Sequence, residues 1–199
     1  MNENIIINTE QETTTLEKIE TFPLVTELHP ALHETLPVFD FANPPVDPMK
    51  FASSLVETCK KFKGLGLSAN QCGFRHRVFV MGAGEEYVAF FNAKLVSIDD
   101  SAGEVHMEEG CLSFPFLNLR ITRSKKINVE YQDFTGQVKT ATFDGITARC
   151  FLHELDHMNG ILYIDKAKPL ALQFGMKKLK KFAHKIQKQN KQLMAQVGR

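Results

Sequence analysis

His153-Glu154-Leu155-Asp156-His157 is the densest run of metal-ligating and acid–base side chains in the chain. On a helix, residues four apart lie on one face about a turn apart, so both imidazoles can reach a single cation while Glu154 flanks it. At about 100° per residue, His153, His157 and Cys150 fall within about 60° of one another, while Ala148, Phe151, Leu155 and Met158 form the opposite, apolar stripe. One face can ligate while the other packs. The chemistry indicated is hydrolysis by an activated water, which needs a third protein ligand and an open coordination position. Downstream of His157 there is no Glu, and the extended pattern H-E-x-x-H-x-x-G-x-x-H reaches Gly160 but then meets Tyr163 in place of a third His. The missing ligand is therefore sought upstream, among His106, Cys111 and Cys150. Glu109-Gly110-Cys111-Leu112-Ser113 stands out, because a Gly beside the Cys permits close backbone approach, and sulfur with two imidazoles suits divalent zinc or iron alike. A further segment, Gly64-Leu65-Gly66-Leu67-Ser68-Ala69-Asn70-Gln71, alternates Gly with apolar residues and lacks the sequel of a phosphate-binding loop, so by itself it reads as a turn.

The elements that must hold these residues are partly readable. Asp47-Pro48 is a helix start, an Asp N-cap with Pro at the first helical position, and Ala52, Leu55, Val56, Cys59 and Phe62 recur at helical spacing, so a core helix is expected over 48–63. Short β-rich runs follow at 78–81, 87–91 and 127–131, and Asp133-Phe134-Thr135-Gly136 is a hairpin turn into a strand at 138–143. The histidine-bearing helix is expected over about 146–159, with Gly160 at its C-terminus, and another over about 169–191, where Leu172, Met176, Leu179, Phe182, Ala183 and Ile186 recur at three- and four-residue spacing as a stripe expected to dock on the core. The fold expected is α+β, with mostly antiparallel sheets around the central metal-binding helix, an N-terminal helix and a C-terminal helix. Residues 1–22 are expected as an extension, 23–168 as the catalytic domain and 169–199 as a basic helix.

Composition narrows the function classes. The chain has 199 residues, a net charge of +1 and 43% hydrophobic residues, the profile of one soluble globular domain. No apolar stretch approaches the roughly 20 residues of a membrane helix, which argues against a membrane protein. The N-terminus lacks the basic and apolar regions of a secretory or transit peptide, so a cytoplasmic (or organellar) location and reduced cysteines are expected, with Cys59 and Cys72 as ordinary buried residues. Charge is nevertheless polarised: residues 1–50 are dominated by Asp and Glu, whereas residues 166–199 carry nine Lys plus Arg199 and no acid. Such a terminal helix either solvates itself or contacts an anionic surface.

In order along the chain, GLGLSANQ, EGCLS and HELDHMNG resemble the peptide deformylases, which carry G-apolar-G-apolar-A-A-x-Q, then E-G-C-L-S, then H-E-x-D-H. The resemblance covers roughly residues 24–165. It implies one divalent ion, natively ferrous iron with zinc, nickel or cobalt as substitutes, held by Cys111, His153 and His157. It further implies Glu154 as general acid/base and Gln71 with the backbone N–H of Leu112 as the oxyanion hole. Gly66 and Leu67, with Gly110, would line the substrate groove. Leu65, Ile146, Arg149 and Cys150 would surround the methionine side chain, and Glu109 would pair with Arg123. There are departures: Ser68 replaces the usual first alanine of its motif, Leu152 stands where a glutamine is common, Asn118 where many members have arginine, and Arg149 where some have an aliphatic residue.

The substrate so implied is the N-formylmethionyl end of a nascent peptide, from which formate is released. The ribosome is a further expected partner through the basic C-terminal helix, as in some deformylases; neither a membrane nor sequence-specific nucleic acid is expected. The competing readings are an H-E-x-x-H endopeptidase, which would not need Cys111, and a catalytically idle, ribosome-associated peptide-binding module.

Overall fold

A computed structural model describes the backbone of residues 19–197 and the side chains of residues 19–192. Residues 1–18 of the expected extension lie outside the described residues. Helix α1 spans Pro48–Lys61; Asp47 caps it by accepting from the Lys50 N–H at 2.9 Å, and Phe51, Ala52, Leu55 and Cys59 are buried. Strands β1 (Gly66–Ser68), β2 (Val78–Ala83), β3 (Glu86–Ile98), β6 (Lys126–Gln132) and β7 (Val138–Asp144) form one antiparallel sheet in the order β1-β2-β3-β6-β7. Strands β4 (Glu104–Cys111) and β5 (Phe114–Ser124) form a separate antiparallel pair. Helix α2 spans Gly145–Met158 and helix α3 spans Pro169–Val197. The α+β fold with antiparallel sheets around a histidine-bearing helix is thus the one expected.

The pleat of β2 explains the layering. Val78 and Val80 face α1 in one core, while Phe79 and Met81 face α2 in another, so the sheet is a middle layer apolar on both sides. The predicted stripe of α2, Ala148, Phe151, Leu155 and Met158, fills that second core. The opposite face of α2 is thereby turned toward β1 and the β4–β5 pair.

Two expectations need correction. The segment 64–71 is more than a turn: Gly66, Leu67 and Ser68 pair with Met81, Val80 and Phe79 as an edge strand, and 69–72 coil into a 3-10 turn. The stripe expected to dock α3 onto the body, Leu172, Met176, Leu179, Phe182, Ala183 and Ile186, does so only in its first half. Leu172 and Leu179 pack on Leu117, Leu119, Ile121 and Tyr163, whereas Met176, Phe182 and Ile186 stay largely exposed. Among the described residues beyond Leu179, Phe182 still touches Phe116, with ring centroids 5.1 Å apart.

Candidate active site

Helix α2 delivers His153, Glu154 and His157 to one buried place, all under 10% exposed. Cys111 arrives at the end of β4, where the pairing with β5 shifts register between Glu109 and Cys111. Gly110 sits at that irregularity, where a Cβ would lie 2.6 Å from Asn118 Oδ1 and push that side chain aside. Cys111 Sγ is 3.3 Å from His157 Nε2, and the donor atoms of Cys111, His153 and His157 all lie within 4.8 Å of one another. Metal bonds of about 2.0–2.3 Å around a tetrahedral centre put neighbouring ligands roughly 3.5 Å apart, so this cluster fits one divalent cation.

A carboxylate behind the cluster fixes its orientation. Glu109 Oε1 lies 2.7 Å from His153 Nδ1, which commits that nitrogen and leaves Nε2 for a cation. Glu109 is itself held by Arg123, through Nε at 3.0 Å and Nη2 at 2.5 Å, and by Arg149 Nη1 at 2.8 Å. Arg123 also donates to Asp156 Oδ2 at 2.5 Å, so the fourth residue of H-E-x-D-H is a tether rather than a bystander. Burial alone would raise the Glu109 carboxyl; the bonds from His153 and Arg123 outweigh it and hold the group well below the carboxylate range. Burial would lower His153, yet the Cys111 sulfur and Glu109 push it up to about 10. His157, buried and beside His153, is driven well below its ordinary value. Glu109 and the Cys111 sulfur thus favour positive charge on the His153 side of the cluster, while His157 is kept neutral.

Glu154 sits beside that centre with its carboxyl raised by burial, against the opposing pull of His153 and Ser68. Ser68 Oγ donates to its Oε2 at 2.6 Å, and a Cβ on Gly66 would collide with its Oε1. Gln71 is oriented from both ends. Its Oε1 accepts the Ser68 N–H at 2.9 Å, and its Nε2 points at Cys111 Sγ (3.3 Å) and Ser113 Oγ (3.2 Å).

These groups stand at the head of a cavity of about 710 Å³. Leu65, Gly66, Gly110, Leu112, Ile146 and Cys150 line it, and burial keeps the Cys150 thiol far above its ordinary pKa. Leu67 does not: the pleat of β1 turns its side chain into the core with Val80. Arg149 reaches the wall, but its guanidinium is committed to Glu109 and to the carbonyls of Val105 and Ile121 at 2.6 and 3.1 Å. Sequence reasoning missed Leu24, Val25, Thr26 and Glu27, which border the cavity because the Val25 N–H donates to the Gln71 carbonyl at 2.9 Å, a long-range contact with no local signal. It also missed Phe116 at the rim, a residue with positive φ (67°).

Comparison with known proteins agrees with this geometry. The profile of the polypeptide deformylase family matches residues 22–173. A peptide deformylase of Thermotoga petrophila is 40% identical over 139 residues, 70% of this chain and 84% of the relative. The crystal structure of the Thermotoga maritima peptide deformylase superimposes with a TM-score of 0.69 at 36% identity, covering 75% of this chain and 99% of that one. The Legionella pneumophila enzyme superimposes with a TM-score of 0.72 at 30% identity, covering 82% and 96%. With the profile spanning the whole body from Phe22 through the start of α3, this chain belongs to the polypeptide deformylase family.

Proposed function

We propose that this chain carries out the reaction of its family, hydrolytic removal of the formyl group from the N-terminal formylmethionine of newly synthesised proteins, with Glu154 as proton carrier and Gln71 as oxyanion donor. The observation that supports it is the meeting of Cys111, His153 and His157 with Glu154 and Gln71 at the head of one largely apolar cavity. A divalent ion held by those three ligands supplies Lewis acidity and lowers the pKa of water toward neutrality. Glu154 takes a proton from the water that attacks the formyl carbon, and returns it to the amine nitrogen as the C–N bond breaks and formate leaves. Gln71 Nε2, aimed by the Ser68 N–H on its other end, donates to the oxygen that becomes negative, as does the Leu112 N–H. Leu65, Ile146 and Cys150 form the apolar wall for the methionine side chain, with Gly66 and Gly110 admitting the peptide backbone beside it. Arg149 acts from behind, holding Glu109.

The family is one of metal-dependent enzymes, and the native ion we propose is ferrous iron, with zinc or nickel as working substitutes. Sulfur with two imidazoles accommodates ferrous iron as it does zinc, and with iron it implies oxygen sensitivity. Activity prepared without oxygen should decay in air with iron and persist with nickel. The proposed compartment is the cytoplasm, where formylated chains leave the ribosome. The lysine-rich α3 is proposed to contact the ribosome there.

The reading is tested by formate release from formyl-Met-Ala-Ser, beside the unformylated peptide and a Cys111→Ala variant. Formate from the parent protein alone supports it. Cleavage of internal peptide bonds, or full activity in Cys111→Ala, overturns it.

A further inference from the structure

Ser68 is fully buried in β1, and its two polar groups face two different parts of the site. Its N–H donates to Gln71 Oε1 at 2.9 Å, a contact that any non-proline residue could make. Its hydroxyl donates to Glu154 Oε2 at 2.6 Å, a contact that the alanine usual in this motif could not make. Across the carboxylate, Oε1 lies against Gly66, so close that no Cβ would fit there. The carboxylate is therefore held between a donor on one oxygen and a glycine backbone on the other.

We propose that the Ser68 hydroxyl is a positioning residue for the reaction: by occupying Oε2 it fixes the plane of the Glu154 carboxylate and assigns proton transfer to Oε1. The proposal rests on Glu154 being the proton carrier. The hydroxyl has a single hydrogen and two acceptors in reach, Glu154 Oε2 at 2.6 Å and the Glu154 backbone carbonyl at 3.4 Å; the much nearer Oε2 takes it, and accepts it equally as part of a carboxylate or as the carbonyl oxygen of the protonated acid. The Ser68 proton therefore stays where it is through the cycle. The proton taken from water resides on Oε1 and leaves from Oε1 to the amine nitrogen. Burial of Ser68, Gln71 and Glu154 excludes competing water from Oε2, so the orientation does not depend on solvent.

The test is Ser68→Ala and Ser68→Thr in metal-loaded, full-length protein, with kcat and KM for formyl-Met-Ala-Ser, metal content and thermal midpoint measured for each. Alanine keeps the N–H that aims Gln71 and loses only the hydroxyl, with its contacts to Glu154 Oε2 and to the Glu154 carbonyl. A misaimed proton carrier should lower kcat by about tenfold in Ser68→Ala, with KM within about twofold and metal content and melting unchanged, while Ser68→Thr regains most of the rate. The proposal fails if kcat in Ser68→Ala stays within twofold of the parent, if its loss follows lost metal or stability, or if a folded Ser68→Thr is as slow as the alanine variant. A parent protein that releases no formate would instead overturn the functional reading, a distinct result.

Discussion

At the scale of single residues, the proposed roles separate Glu154, which would move a proton, from the groups that hold it in place. Glu154→Gln keeps the volume and can still accept from Ser68, so fold and metal content should be unchanged. A neutral amide cannot take a proton from water, and kcat should fall by about 10³-fold or more. Near-normal turnover would remove Glu154 from the chemistry. Gln71→Ala should lower kcat by about 10²–10³-fold, the cost of one lost oxyanion donor, with little change in metal content. An effect confined to KM would make Gln71 a binding residue instead. The two variants should also differ in structure. Glu154→Gln retains the bond from Ser68, whereas Gln71→Ala leaves the buried Ser68 N–H without its acceptor at 2.9 Å and so carries a stability loss of about 1 kcal/mol, visible in urea denaturation.

Three elements are riveted together by Glu109. It stands on β4, accepts from Arg123 on β5 and from Arg149 on α2, and orients His153 one turn further along α2. Replacing it with Gln leaves two buried guanidinium groups short of their shared counter-charge. Asp156 remains for Arg123, and two carbonyls for Arg149, so the loss should lie at the low end for a broken buried pair, about 3 kcal/mol by urea denaturation. Metal affinity should weaken by about 10–100-fold, since His153 loses its orienting partner, and competition with a chelator measures that directly. Unchanged stability and affinity would mean that the network is decorative. How much of this was legible follows from range. The H-E-x-x-H helix, its apolar stripe and α1 declare themselves through local period and capping residues. The three-residue β1 is too short and glycine-rich to have a period, and β4 mixes Glu, His and Met without clean alternation because most of its side chains are exposed or half-buried. The resemblance puts Arg149 beside the methionine pocket and Arg149 does reach the cavity wall, but no local signal points to the long-range carbonyls of Val105 and Ile121 that claim its guanidinium.

Across the whole molecule, charge and packing both change along α3. Its first half is part of the body, where Gly175 approaches so closely that a Cβ would lie 2.7 Å from Leu119 Cδ2. From residue 180 every described side chain is exposed, and the segment 166–199 carries nine Lys and Arg199 with no acid. A helix that packs for part of its length and then projects as a cation-rich rod suits a polyanion, and binding of that kind proceeds by counterion release with steep salt dependence. Truncation after Ile186 removes Lys188, Lys191 and Arg199 while keeping Leu172, Leu179 and the Phe182 contact to Phe116. The site and the cavity rim are left as they were, so turnover of free formyl-Met-Ala-Ser should stay within about twofold. Association with ribosomes should weaken and its salt dependence become shallower, because each phosphate contact contributes a slope of roughly one in log K against log salt and three of the ten cations are removed. Co-sedimentation of full-length and truncated protein with ribosomes at two salt concentrations reads both quantities. Equal binding by the two forms, or binding indifferent to salt, would reduce the lysine face to a solvated surface. Loss of turnover on the free peptide would show instead that the end of α3 supports the groove through Phe182 and Phe116.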